Sequence, residues 1–171
     1  MKLLELMLDK LEELGWSYYK EDREGEEKYS TGIEMSKFSP AGEDFSFHIW
    51  CDGTGKIFLQ EIREYSNDFD TEEHALLHVG GNGAPSLRVL LDDADAIEGM
   101  IESLEAELDT VEDEFNEILD EYEELTERIE SLKEERQGVR DKNAPEHILN
   151  PLIEEIEKAE KRIEELELKI K

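Results

Sequence analysis

Residues 87–139 read LRVLLDDADAIEGMIESLEAELDTVEDEFNEILDEYEELTERIESLKEERQGV, and this stretch decides the fold. A 4-3 spacing runs through Leu87, Leu90, Ala94, Ile97, Ile101, Leu104, Leu108, Val111, Phe115, Ile118, Tyr122, Leu125, Ile129, Leu132, Arg136 and Val139. Fifteen of these 16 consecutive a and d positions are apolar, and only Arg136 breaks the series. Side chains so spaced form one stripe along a helix, and a stripe sustained this long marks a coiled coil. The spacing predicts one helix over about residues 87–140, roughly 80 Å long at 1.5 Å per residue, with Ser86 as its N-cap.

Moving outward toward the C-terminus, Asn150-Pro151 reads as a capping residue followed by proline at the first helical position. Leu152, Ile156, Ala159, Ile163, Leu166 and Ile170 continue the 4-3 spacing. A return helix is therefore expected over about residues 151–170, folded back antiparallel because the connection from Gly138 to Asn150 is short. It can cover only the distal part of the long helix. The seam from Leu87 to Phe115 must then be buried against the N-terminal domain or a second protomer.

Toward the N-terminus the periodicity changes. Leu4, Met7, Leu8, Leu11 and Leu14 predict an amphipathic helix over residues 2–14, stopped by Gly15. Trp16–Lys20, Lys28–Ser36 and Asp44–Cys51 are rich in aromatic and β-branched residues and are separated by turn-rich stretches, which predicts three antiparallel strands. In the last, Phe45, Phe47 and Ile49 alternate with Ser46, His48 and Trp50, so the first three face a packed helix. Lys56–Tyr65 fits either helix or strand, and helix is the preferred reading. Asp70 with Glu73 three residues on starts a short helix that ends near Gly80, and Gly80-Gly81-Asn82-Gly83 reads as a hinge. The fold class is thus α+β. A small N-terminal α/β domain with a short antiparallel sheet, residues 1–85, precedes a coiled-coil helical hairpin, residues 86–171.

Of 171 residues, 48 are acidic and 19 basic, for a net charge of −29. Such a surface repels nucleic acid and anionic membranes and steers association toward basic partners. Direct nucleic-acid binding and membrane binding are not expected. The N-terminal helix is interrupted by Glu5, Asp9, Lys10, Glu12 and Glu13 and lacks a signal-peptide hydrophobic region, and no apolar run is long enough to span a bilayer. Cys51 is the only cysteine, so no intramolecular disulfide forms and a reducing cytoplasmic setting is expected.

The charge is concentrated. Between Asp92 and Glu127, 17 of 36 residues are Asp or Glu and none is Lys or Arg. Like charges at i, i+4 destabilise a helix by a few tenths of a kcal/mol each, so the run costs stability and asks for a functional reason. Along a helix it carries about one negative charge per 3 Å, close to the roughly 3.4 Å per phosphate of one DNA strand. The candidate partner-binding residues are Asp92, Asp93, Asp95, Glu98, Glu102, Glu105, Asp109, Glu112 and Asp113, standing in for phosphates before the Arg and Lys of a nucleic-acid-binding protein.

Other constellations are weaker. His74 and His78 stand i, i+4 as metal-binding histidines can, but Ala75 occupies the place of the metalloprotease glutamate, and the two read as structural or exposed. No metal and no cofactor is assigned. Asp52-Gly53-Thr54-Gly55-Lys56 echoes a phosphate loop, yet Trp50 replaces its first glycine and Ile57 its hydroxyl, so it reads as a turn. No acid/base pair stands out among 48 acids, and Cys51 lacks an activating neighbour. No catalytic residue is assigned, and an enzyme is not expected.

The block Ser39-Pro40-Ala41-Gly42-Glu43-Asp44-Phe45-Ser46-Phe47, then Glu64-Tyr65-Ser66-Asn67-Asp68-Phe69-Asp70 with His74, then Leu91-Asp92-Asp93-Ala94-Asp95-Ala96-Ile97, resembles small acidic proteins of bacteriophages and mobile elements of gut bacteria. The resemblance covers about residues 1–105. It implies the cytoplasm of a bacterial host and a character similar to anti-CRISPR or anti-restriction inhibitors, some of which present carboxylates where a nuclease expects phosphates. The expected partner is a basic nucleic-acid-binding protein such as a CRISPR nuclease. The rival expectation is a coiled-coil scaffold or adaptor, homodimeric through its apolar seam.

Overall fold

The structure, a computed structural model, describes residues 3–22, 30–80, 85–142 and 145–170. Its elements are α1 (Leu3–Glu13), β1 (Ser17–Asp22), β2 (Thr31–Phe38), β3 (Asp44–Cys51), α2 (Gly55–Asp68), α3 (Thr71–Leu77), α4 (Leu87–Asp141) and α5 (Glu146–Ile170). The chain divides into two compact units, Lys2–Glu112 and Asp113–Lys171. The division falls inside α4, whereas the sequence pattern changes at residues 85 and 86.

In the first unit, α1 buries Leu3, Leu4, Met7, Leu8 and Leu11. It ends in a Schellman motif: Trp16 N–H donates to Leu11 O at 2.9 Å and Gly15 N–H to Glu12 O at 3.0 Å. Gly15 has φ 80°, a conformation that a Cβ would strain. Lys37 Nζ donates to Leu14 O at 2.7 Å and lies over the Trp16 ring. The helix exit is thereby tied to the sheet.

The three strands form an antiparallel meander in the order β1-β2-β3. In register, Ile33 stands opposite Ile49 and Met35 opposite Phe47. Those four residues, with Phe45 and Cys51, make the buried face. The expected alternation in β3 is present, with Ser46 and His48 exposed and Trp50 half-buried. The second strand runs Thr31–Phe38 and ends later than the expected Lys28–Ser36, since pairing with β3 continues to Phe38 opposite Asp44, while residues 28 and 29 lie outside the described residues.

Lys56–Tyr65 lies inside α2. Thr54 caps that helix by accepting from Ile57 N–H, and Phe58, Leu59 and Ile62 are fully buried along one side. Tyr65 stacks on Phe47 at 4.3 Å. Gly55 sits where a Cβ would collide with Leu3, so α1 and α2 pack at close quarters there. The stretch Asp52–Lys56 is a turn and helix start: Asp52 Oδ1 accepts from Thr54 N–H at 2.9 Å and Thr54 Oγ1 at 2.6 Å. Asp70 caps α3, accepting from Glu73 N–H at 2.9 Å. The expected glycine hinge falls mainly on 81–84, outside the described residues.

The apolar stripe of α4 enters this unit's core: Ala94, Ile97, Ile101, Leu104 and Leu108 are at most 1% exposed. Leu90 and Ala94 pack with Ala75 of α3. Of the two coverings open to that seam, the N-terminal elements are the one observed.

In the second unit, the rest of α4 and α5 form an antiparallel hairpin. Its core holds Ile129, Leu132, Ile156, Ala159 and Leu166. Arg162 pairs with Glu121 and Arg128 with Glu155 across it, fixing the antiparallel sense. One boundary differs from expectation. The return helix begins at Glu146, and Pro151 lies within it. Pro145 immediately precedes this start and Glu146 brings an acidic side chain to the first turn, both favourable at a helix N-terminus. Pro151 then forfeits only one hydrogen bond, to His147 O, near the helix end.

Among the described residues no helix is long and apolar enough to cross a membrane.

Candidate functional site

The acidic run lies wholly on α4, and the fold treats its two parts differently. From Asp92 to Glu112, four of the nine carboxylates are engaged by the chain itself. Asp93 is 7% exposed and accepts from Ala41 N–H through Oδ1 at 3.3 Å. Arg63 of α2 donates from both Nε and Nη2 to Asp109 and reaches Glu112 at 3.4 Å. Lys10 of α1 pairs with Glu107 at 2.9 Å. Two helices, α1 and α2, and the β2–β3 turn thus draw on the carboxylates of this part of α4.

From Asp113 to Glu127 the picture reverses. Of eight carboxylates only Glu121 is paired among the described residues: Arg162 of α5 clamps it with two bonds of 2.7 and 2.8 Å. This bidentate contact holds the Glu121 carboxyl below its ordinary value. Asp113, Glu114, Glu117, Asp120, Glu123, Glu124 and Glu127 are all exposed. Among the described residues, no lysine or arginine engages any of the seven. All but Glu114 lie opposite the a/d stripe, because burying Ile129 and Leu132 against α5 turns the b, c and f positions outward.

The nine residues singled out from the sequence therefore separate. Asp92, Asp95, Glu102 and Asp113 are exposed, and Glu98 and Glu105 are half-buried. Asp109 and Glu112 are occupied by Arg63. Asp93 cannot serve as a surface carboxylate, since it is buried beneath the β2–β3 turn. The denser free array was passed over. Its signal was available, because residues 113–127 hold eight acids in 15 positions and the c and f positions there are acidic. In the earlier part only Asp92 is acidic at these positions, and Ala96, Gly99, Ser103, Ala106 and Thr110 occupy the rest.

A second polar cluster lies within the first unit. The turn between β2 and β3 is closed by Ser39 N–H donating to Glu43 O at 2.8 Å and Glu43 N–H to Ser39 Oγ at 3.0 Å. It aims Glu43 at α3. There Glu43 Oε1 lies 3.1 Å from His78 Nε2 and 3.8 Å from His74 Nε2. His74 is wedged among Phe45, Phe69 and His78, and burial pushes its imidazole below the ordinary histidine value, with His78 adding to the effect. Burial, then a hydrogen bond with Asp93, raises the Glu43 carboxyl. The histidine pair was visible in the sequence, but its carboxylate partners come from 31 and 19 residues away, counted from Glu43 to His74 and from His74 to Asp93.

Cys51 is fully buried, and burial raises its thiol above the ordinary value. That suits a core cysteine and not a nucleophile. Comparison with known protein families, curated proteins and solved structures finds no match to this chain.

Proposed function

We propose that the protein is an acidic polyanion mimic, which binds the basic groove of a nucleic-acid-handling protein and keeps nucleic acid out of it. A host defence nuclease of the CRISPR or restriction type is the target that the sequence resemblance suggests. The reading assigns no catalysis. One observation carries it: seven exposed carboxylates between Asp113 and Glu127 have no basic partner among the described residues, and six of them lie on the outward side of α4. Their span is about 21 Å at 1.5 Å per residue, or about one charge per 3 Å, which approaches the phosphate spacing of a nucleic-acid strand. The hairpin partner α5 holds that side outward. In the first unit Asp92, Asp95 and Glu102 are exposed as well.

A groove built to hold phosphates presents Arg and Lys in fixed positions, and carboxylates satisfy these by charge-assisted hydrogen bonds. Binding of this kind is fast at low salt and weakens as salt rises. The test is displacement of DNA from a basic nuclease captured from bacterial lysate, measured at about 50 and about 300 mM salt. Affinity should drop across that range and after charge reversal of Asp113, Glu117, Asp120 and Glu124. Unchanged affinity in both comparisons would refute the mimic.

The alternative, a coiled-coil scaffold or adaptor that dimerises through its apolar seam, fits less well. Ile101, Leu104 and Leu108 are already buried within one chain, so that part of the seam has no face left to offer.

A further inference from the structure

We infer that Glu43, His74 and His78 form a binding site for a single zinc-class transition-metal ion, with Asp93 positioning Glu43 and the remaining coordination position facing a solvent cleft. The site is separate from the acidic face of α4 and does not depend on its role.

Geometry is the first support. One donor atom from each of the three residues lies within 4.8 Å of the other two. A tetrahedral ion with ligand distances of about 2.0–2.1 Å needs adjacent donors about 3.3 Å apart. The observed 3.1 and 3.8 Å from Glu43 to the two imidazoles bracket that value. His74 and His78 are one turn apart on α3, and the hydrogen-bonded turn Ser39–Glu43 delivers the carboxylate.

A bare ion pair explains only half of the cluster. His78 Nε2 is satisfied by Glu43, but His74 Nε2 is buried and has no hydrogen-bond partner among the described residues. Buried polar atoms are nearly always satisfied, and an orphan one calls for a missing partner. Whichever tautomer His74 adopts, Nε2 is left with nothing to do, whereas a metal between it and Glu43 would use its lone pair. Asp93, buried and accepting from Ala41 N–H, lies beside Glu43, and with a proton on its own carboxyl it can donate to Glu43, the outer support typical of a ligating carboxylate. An entry path also exists. Glu43, His78 and Asp93 line a cleft of about 350 Å³ together with Val89 and Leu90.

Two imidazoles and a carboxylate select a borderline ion such as Zn²⁺ over Mg²⁺ or Ca²⁺, which take oxygen donors. Bound there, the ion would tie α3, the β2–β3 turn and, through Asp93, α4 together.

The full chain, stripped with chelator and held in excess Mg²⁺ so that surface carboxylates are saturated, is titrated with Zn²⁺ by calorimetry. One Zn²⁺ per chain is expected, with a rise in thermal midpoint. His74→Ala and His78→Ala should each abolish that site. Asp93→Asn should keep the stoichiometry and weaken affinity about 10–100-fold. His78 is half-exposed, so its variant should fold and can decide alone if His74→Ala does not. Absence of a saturable Zn²⁺ site in the wild-type chain, or one of equal affinity in folded His78→Ala, overturns the proposal.

Discussion

The two parts of α4 carry similar densities of acid and use it in opposite ways. Between Asp92 and Glu112 the helix lies against a folded domain two of whose cations, Lys10 and Arg63, are aimed at it. There the carboxylates are partly structural. Between Asp113 and Glu127 only Arg162, among the described residues, draws on the acidic row, and the remaining carboxylates are exposed. Charge density alone does not define a binding face. What matters is which carboxylates the chain leaves unanswered.

The contrast is sharpest in the core. Leu108→Ala, at a position with no exposure, should cost about 2–5 kcal/mol through lost burial and a cavity. Leu125→Ala, at a half-buried position of the same stripe, should cost clearly less. Urea unfolding of both variants measures the difference, and equal losses would erase the distinction between a domain-buried seam and a two-helix one.

A smaller effect is expected from the ion pairs. Arg63→Ala frees Asp109 and Glu112 but removes partners that are about two-fifths exposed on the arginine side. Solvent screening holds such a pair to roughly 0.2–1 kcal/mol. Glu117→Lys should do the reverse, because it sets a cation among Asp113, Asp120 and Glu121 on one helix face. Stability should rise by about 0.2–0.5 kcal/mol per new i, i+4 pair, seen as a higher thermal midpoint at low salt. A fall would mean that Glu117 already has a structural role.

The smallest effect is a pH dependence in the hairpin. Arg162 lowers the folded pKa of Glu121, so the folded chain binds that proton less readily than the unfolded one. Its stabilisation is complete above the ordinary value of 4.5 and is lost as pH falls through the lower folded value. Glu121→Gln should remove this component. The urea midpoints of the two proteins, followed from about pH 5 down to about pH 3, should converge on acidification. A constant gap would rule it out.

Much of the architecture was legible because it is local. Helix α4 follows from 15 apolar a/d positions, and α3 from Asp70 with Glu73. The alternation in Asp44–Cys51 gave the buried face of the sheet. The start of α5 was misread because Asn150-Pro151 is as good a helix opening as Pro145-Glu146, and only packing chooses between them. The candidate site was legible as a region and not as a residue set. Arg63 and Lys10 find their acids across 46 and 97 residues, counted from Arg63 to Asp109 and from Lys10 to Glu107. Asp93 is covered by a turn 52 residues before it in sequence. No periodicity encodes such pairings. In the same way, the spacing of His74 and His78 gave no hint that Glu43 would close on them.

The most direct measurement compares two fourfold charge-reversed variants in displacing DNA from a basic nuclease at low salt. One reverses Asp113, Glu117, Asp120 and Glu124, and the other Asp92, Asp95, Glu98 and Glu102. The first should lose at least about tenfold in affinity, or 1.4 kcal/mol, and much of its salt dependence, while the second loses less. Full affinity in the first variant, with its helical content intact, would contradict the claim that the unanswered carboxylates of α4 stand in for phosphates.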